Sequence, residues 1–197
     1  MSLKLAVVMG TTRPTRRGPA VAQWVAELAV AHGGFEVERV DLAELNLPFL
    51  DEPEHPAKQA YVHEHTKRWS AIVNAADAFV FVTAEYDYFV PAPLVNAVQT
   101  LLREWNYKVA GVVSYGGISG GLRAAQELRQ LLSNVGIMPL QGTVPLPLFG
   151  QYFDDDDGSF QPGEKSVQGL NQLFGELLKW GPALKTMRKT HADRPLG

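Results

Sequence analysis

The sequence contains no cysteine. That excludes disulfides, thiolate metal sites and cysteine nucleophiles together. Charge of one sign is also lacking: 18 Lys and Arg stand against 21 Asp and Glu, for a formal net charge of -3. Such a balance exerts no strong pull on nucleic acid. No apolar run approaches the roughly 20 residues of a membrane span. No basic stretch with a following apolar core and cleavage site opens the chain, so no signal peptide is expected. These absences lead to the expectation of a cytoplasmic protein that handles small molecules, with neither nucleic acid nor membrane as partner. What is present suits a globular fold: 46% hydrophobic and 20% charged residues in a chain of 197. That length is enough for one sizeable domain with a full core, and a single domain over 1–197 is expected.

Apolar runs alternate with helical patterns. The runs at 3–9, 78–83 and 109–114 read as buried strands, 35–42 alternates as a strand, and 137–144 reads as the last. Between them the spacing predicts helices over 19–31, 61–75, 93–105 and 120–134, with a final helix over 164–187. The stretch 45–53 (LNLPFLDEP) reads as a loop, since Pro48 breaks any long element. Strand–helix alternation with nearly continuous apolar strands argues an α/β fold, a parallel sheet covered on both faces. There is no internal repeat, low-complexity tract or linker.

The first strand runs into Gly10-Thr11-Thr12-Arg13-Pro14-Thr15-Arg16-Arg17-Gly18, and a helix follows. Strand, then a loop of glycine, hydroxyls and arginines, then helix, is the geometry of an anion cradle. Loop amides and the positive end of the helix dipole favour negative charge there. Three phosphate-binding designs compete. A Walker loop needs Gly-Lys followed by Ser or Thr, and this loop has no lysine. A dinucleotide fold needs Gly-x-Gly-x-x-Gly; here Thr12 stands at the second glycine, although Asp41 mimics the ribose-binding acid. The third design holds the terminal monophosphate of FMN at the switch point of a flavodoxin-like sheet. Thr11, Thr12, Arg13 and Thr15 suit a dianion with several exposed oxygens. An ordinary strand-to-helix turn with surface arginines remains the plain alternative.

Two further loops follow carboxyl ends of strands, where such folds bind ligands. One is Ala84-Glu85-Tyr86-Asp87-Tyr88-Phe89-Val90-Pro91; the other is Ser114-Tyr115-Gly116-Gly117-Ile118-Ser119-Gly120-Gly121. Tyrosines can stack on a planar ring, and a glycine loop exposes backbone donors to its polar edge. Each alone reads equally well as core sealing or as turns; together, at one sheet edge, they favour a phosphate-bearing flavin.

The stretches GTTRPTRRG, AEYDYFVPAPLVNAVQ and KVAGVVSYGGISGGLRAAQ resemble the NADPH-dependent FMN reductase family, and LNLPFLDEP has the same look. The resemblance runs from the first strand to at least the fourth helix. Thr11 stands where the family often has serine, and Ala84-Glu85-Tyr86-Asp87 where it often has Pro-Glu-Tyr-Asn. The resemblance implies a flavodoxin-like, five-stranded parallel sheet of order 2-1-3-4-5 with helices on both faces. It implies Thr11, Arg13 and Arg16 or Gly18 around the phosphate. Glu85, Tyr86 and Asp87 would border the isoalloxazine, and Ser114, Tyr115, Gly116 and Gly117 its other side. The implied activity is FMN-dependent, with NADPH or NADH as co-substrate and a small acceptor such as free flavin, a quinone or an azo compound, reduced in ping-pong fashion. No catalytic side chain and no metal is implied. A flavodoxin-like electron carrier is the alternative, although such carriers are usually strongly acidic; a binding module with a degenerate flavin site is another.

The resemblance also implies a homodimer or homotetramer pairing through the third and fourth predicted helices. Leu94, Val98, Leu101 and Trp105 make the core stripe of one, widened by Val95 and Leu102. Leu122, Ala125, Leu128, Leu132 and Val135 mark the other. Other clusters read as structural. His63-Glu64-His65 lacks the four-residue spacing of a helical zinc motif, so its histidines are expected on different sides of a helix. Asp154 to Asp157 lacks the alternating ligands of a calcium loop. Lys185, Arg188, Lys189, His191 and Arg194 read as a solvated helix end. Trp24 is expected in the core.

Overall fold

The computed structural model describes residues 2–154 and 156–191. Strands β1 (Leu3–Met9), β2 (Phe35–Asp41), β3 (Ala78–Ala84), β4 (Lys108–Tyr115) and β5 (Ile137–Leu146) form one sheet in the order β2-β1-β3-β4-β5. Every pairing is parallel. The helices are α1 (Gly18–His32), α2 (Leu42–Leu45), α3 (Glu64–Ala75), α4 (Ala92–Gln99), α5 (Leu122–Asn134) and α6 (Glu164–His191). This is the flavodoxin-like order expected from the sequence.

The period-two pleat divides the core. Leu5, Val7 and Met9 of β1 join Val80, Val82, Val109 and Val113 beneath α1 and α6. Ala6 and Val8 join Phe79, Phe81, Ala110 and Val112 on the other face, beneath α3, α4 and α5. Trp24 belongs only partly to this core. It is half-buried on α1 and meets Phe160 edge-on, with ring centroids 5.8 Å apart.

Several boundaries differ from the sequence reading. The third predicted helix is split: α4 ends at Gln99 and a separate 3-10 turn covers Arg103–Trp105. Side chains satisfy the carbonyls there instead of the next helical turn. Thr100 Oγ1 donates to Asn96 O at 2.7 Å, Trp69 Nε1 to Ala97 O at 2.7 Å, and Trp105 Nε1 to Val98 O at 3.0 Å. The stripe survives the break, because Leu94, Val98, Leu101 and Trp105 are all buried. Helix α3 starts at Glu64, not at 61, because the Glu52 carboxylate holds the Val62 and His63 amides at 2.8 and 3.1 Å. His63 is therefore extended, and the helical-spacing argument fails for it. Its ring stacks on that of His65 at 5.1 Å, and His65 Nε2 lies 3.0 Å from Asp51 Oδ1. A four-residue helix, α2, separates β2 from the expected loop and ends at Leu45; the Asp41 side chain caps it through the Ala43 amide at 2.9 Å.

The basic tail is structural in part. Lys185 Nζ and Arg188 Nη2 each lie 2.7 Å from the nearly buried Asp77 carboxylate, pinning α6 to the amino-terminal edge of the sheet. Burial alone would raise the Asp77 carboxyl, but the Lys185 hydrogen bond, the Lys4 amide and both cations hold it below the usual carboxylate range. Arg194 and Asp155 lie outside the described residues. Asp154 Oδ1 accepts from the Asp156 and Asp157 amides at 2.9 and 3.3 Å, a turn and not a cation cage. Among the described residues no group of His, Asp or Glu is arranged to hold a metal. No helix is long and apolar enough to cross a membrane, again among the described residues.

Candidate functional site

The loop between β1 and α1 is open at its backbone. Beyond Gly10, whose amide reaches Val82 O at 2.9 Å, only the Arg16 amide finds a carbonyl before α1, that of Arg13 at 3.0 Å. The Thr11, Thr12, Arg13, Thr15, Arg17 and Gly18 amides donate to no carbonyl among the described residues. With the amino terminus of α1 behind them they form a concentrated donor field for an anion. Gly18 lies so close to the loop that a Cβ would stand 2.6 Å from Thr11 Oγ1 and 3.0 Å from the Tyr115 hydroxyl. The cradle therefore admits only hydrogen at that position.

The side chains divide the labour. Thr11 is fully buried, and its Oγ1 lies 3.3 Å from the Tyr115 hydroxyl. Tyr115 thus reaches the cradle with its phenol, and its ring meets Phe149 at 4.4 Å. Burial pushes that phenol up to about 12, so it keeps its proton at neutral pH. Arg16 Nη2 pairs with Asp41 at 2.6 Å, while its Nε is buried without a partner among the described residues. Arg13 is exposed and makes no ion pair or side-chain hydrogen bond among the described residues. Asp41, considered above as a ribose acid, is consumed by Arg16 and the α2 cap. Thr12 is half-buried and borders a cleft of about 540 Å³ walled by α2, the loop after it and the start of α4.

The loop after β3 is a tight hairpin. Tyr86 and Phe89 exchange both backbone hydrogen bonds, at 3.0 and 2.9 Å, around Asp87 and Tyr88. Both turn residues have positive φ, 49° and 77°. Glu85, at the hairpin base, turns its carboxylate away from solvent. It accepts from Ser119 Oγ at 2.9 Å, Arg123 Nη1 at 2.8 Å and the Arg123 amide at 3.1 Å. Burial would raise its carboxyl, but the Ser119 and Arg123 bonds outweigh that and hold it low. Glu85 is thus the cap that α5 lacks locally, since Gly121 precedes that helix without a capping side chain.

The glycine loop after β4 is braced from two sides. Ser114 is fully buried and donates to Gly120 O at 2.9 Å. Gly121 has φ 81°, and a Cβ there would stand 2.7 Å from the Tyr115 amide nitrogen, so glycine is required. Leu148 and Phe149, just beyond β5, donate to Gly117 O and Gly116 O at 2.8 and 3.0 Å. The Gly117, Ile118 and Ser119 amides donate to no acceptor among the described residues. Gly117 is exposed, and a Cβ there would meet nothing within 4 Å.

The structure thus brings Thr11, Gly18 and Tyr115 together at one point, and Glu85, Gly116 and the start of α5 at another. The side chains of Glu85 and Ser114 are committed internally; the Glu85 amide also donates to Tyr115 O at 3.0 Å, and Ser114 is paired with both neighbouring strands. Two contributors were missed from the sequence. The segment after β5 carries no motif. Asn96 clamps the loop after α2 through Pro48 O at 2.8 Å and the Leu50 amide at 3.1 Å; its signal was a lone amide within the apolar stripe of α4.

The fold defines a flavodoxin-like protein whose β1–α1 loop presents open backbone donors at the carboxyl edge of the sheet. The family model of the NADPH-dependent FMN reductases matches residues 3–151, and the chain belongs to that family. An NAD(P)H-dependent FMN reductase of Schizosaccharomyces pombe is 43% identical over 125 residues, 62% of this chain and 62% of that one. The match therefore spans less than two thirds of that relative's length. An NAD(P)H-dependent FMN reductase of Saccharomyces cerevisiae is 34% identical over 164 residues, covering 74% of this chain and 85% of that protein. Among solved structures, the flavoenzyme FerB, an NAD(P)H:(acceptor) oxidoreductase from Paracoccus denitrificans, superposes with TM-score 0.69. It is 21% identical, covering 92% of this chain and 98% of that one, a likeness of fold.

Proposed function

We propose that the protein is an FMN-dependent NAD(P)H oxidoreductase of small electron acceptors, of the kind that includes free flavins, quinones and azo compounds. The observation that carries this reading is the set of uncommitted amides between Thr11 and Gly18, those of Thr11, Thr12, Arg13, Thr15, Arg17 and Gly18, closed by a glycine that a Cβ would overfill. A monophosphate dianion fits it: amides and the α1 dipole face its oxygens, and Arg13 is free to neutralise its charge. The orphaned, buried Arg16 Nε supplies a further donor. A pyrophosphate lacks the glycine pattern it needs, so the reading is FMN and not FAD.

When bound, FMN supplies two-electron hydride chemistry between a nicotinamide and an acceptor. The protein's part is positional. The Tyr86–Phe89 hairpin and the glycine loop wall the ring site, and the free Gly117, Ile118 and Ser119 amides meet its polar edge, where they stabilise developing negative charge. This chemistry requires no protein nucleophile, and no catalytic residue is assigned. Tyr88, Phe89 and Ile118 stand 60%, 62% and 89% exposed around the mouth. Such a patch supports assembly into a homodimer or homotetramer, with a second copy closing the mouth. The reducing cytoplasm suits a chain without disulfides. The test is to titrate apo-protein with FMN and add NADPH without oxygen. Bleaching of the bound flavin supports the enzyme. Colour that persists supports an electron carrier, and no binding refutes the cradle.

A further inference from the structure

The hairpin after β3 is built from unfavourable residues. A two-residue turn with positive φ at both positions normally takes Asn or Asp followed by Gly. Here Asp87 is followed by Tyr88, a bulky residue at φ 77°. Such a conformation persists only where surrounding contacts over-determine it. The contact is visible: the Arg123 guanidinium carbon lies 3.9 Å from the centre of the Tyr88 ring. The same guanidinium donates to Glu85 Oε1 at 2.8 Å. Glu85 in turn holds Ser119 of the glycine loop and the first amides of α5. One arginine therefore touches the turn residue that needs holding and the carboxylate that joins both loops.

We propose that Arg123 is a positioning residue. By stacking on Tyr88 and pairing with Glu85 it holds the strained hairpin at a fixed spacing from the glycine loop before any ligand arrives. A planar fork suits this dual task, because its face can stack while its edge donates. That the spacing serves a flavin ring rests on the function proposed above; that Arg123 sets it does not. The Asp87 and Tyr88 amides donate to no acceptor among the described residues, so between the anchored Glu85 and the buried Val90 the turn itself is held by its own two bonds and this clamp.

Hydrogen exchange on the apo-protein tests the proposal without flavin. The Phe89 amide, bonded to Tyr86 O at 2.9 Å, reports hairpin opening. Arg123→Ala is expected to speed its exchange by roughly tenfold, leaving the buried amides of β3 and β4 unchanged as a control for folding. Arg123→Lys, which keeps the charge without the planar face, is expected to fall between the two. Adding Tyr88→Gly to Arg123→Ala is expected to return the Phe89 exchange towards wild type, because glycine adopts positive φ freely. A Phe89 amide unaffected by Arg123→Ala, or an acceleration that glycine at position 88 does not reverse, overturns the proposal. FMN titration of the same variants tests the functional reading separately: weakened binding with an unchanged Phe89 amide assigns Arg123 to the ligand instead.

Discussion

At the amino-terminal edge of the sheet, Asp77 holds two cations and the Lys4 amide, while Lys108 lies buried with its ammonium on Val73 O and Asn74 O at the end of α3. At the carboxyl edge, the Thr11, Thr12, Arg13, Thr15, Arg17, Gly18 and Gly117–Ser119 amides stand without acceptors among the described residues, and aromatic side chains are exposed around them. The same five strands therefore end in satisfied polar groups on one side and in unsatisfied ones on the other. The first edge fastens α3 and α6 and serves stability. The second leaves backbone donors open, and the proposed function assigns them to a ligand. Substitutions should separate along that line: those at the carboxyl edge move flavin binding, and those at the amino edge move stability.

The largest effect is expected at Gly117. No atom would meet its Cβ and its φ is not positive, so Gly117→Val should leave the melting temperature unchanged. The added side chain enters the proposed ring site, and FMN affinity should fall by about 3 kcal/mol or more, as for overpacking a filled site. Calorimetric titration beside thermal melting checks both halves; retained affinity would move the ring away from this loop. Next, Arg13→Ala should weaken FMN by about 1.5–3 kcal/mol, the range of a charge-assisted bond, with no effect on the apo-protein's melting.

At the opposite edge the pattern should invert. Asp77→Asn should cost about 1–2 kcal/mol of stability, discounted because Lys185 and Arg188 remain partly exposed to water, and should leave FMN affinity unchanged. A shift in FMN affinity equal to the loss of stability would blur the two edges. The last effect depends on pH and concerns Lys108, whose burial, with Arg188 nearby, holds its ammonium down to about 7. Its pKa in the unfolded chain is about 10.4, so above pH 7 the native state binds fewer protons than the unfolded one. Stability should therefore rise with pH from about 7 towards 10, by at most ~1.4 kcal/mol per pH unit. Lys108→Met should flatten that slope in denaturant titrations, and an unaltered slope would show that other groups carry it.

Much of this molecule was legible before its structure. Apolar runs placed the strands because a parallel sheet buries both faces, and the loop at Gly10–Gly18 announced itself by glycine, hydroxyls and arginines between a strand and a helix. What escaped was set by tertiary contacts. The break after Gln99 depends on Trp69 and Trp105 reaching carbonyls of α4, and no window of local sequence shows that. The start of α3 depends on Glu52, ten residues upstream of the first amide it caps. Glu85 was expected beside the ring from the resemblance; its role in capping α5 was not legible, because those partners lie 38 residues away. Tyr115 was expected beside the ring from the resemblance; that its hydroxyl also reaches Thr11, 104 residues away, was not legible locally. The basic tail looked solvated because Asp77 is more than a hundred residues distant in sequence.

The central claim is that the β1–α1 loop is a monophosphate cradle for FMN. The most direct measurement compares FMN with riboflavin, which has the same ring and ribityl chain but no phosphate, on apo-protein. The account expects FMN to bind at least about 100-fold more tightly, as several charge-assisted bonds require, and Arg13→Ala to narrow that ratio. Equal affinity for the two flavins, or a ratio unmoved by Arg13→Ala, would contradict it.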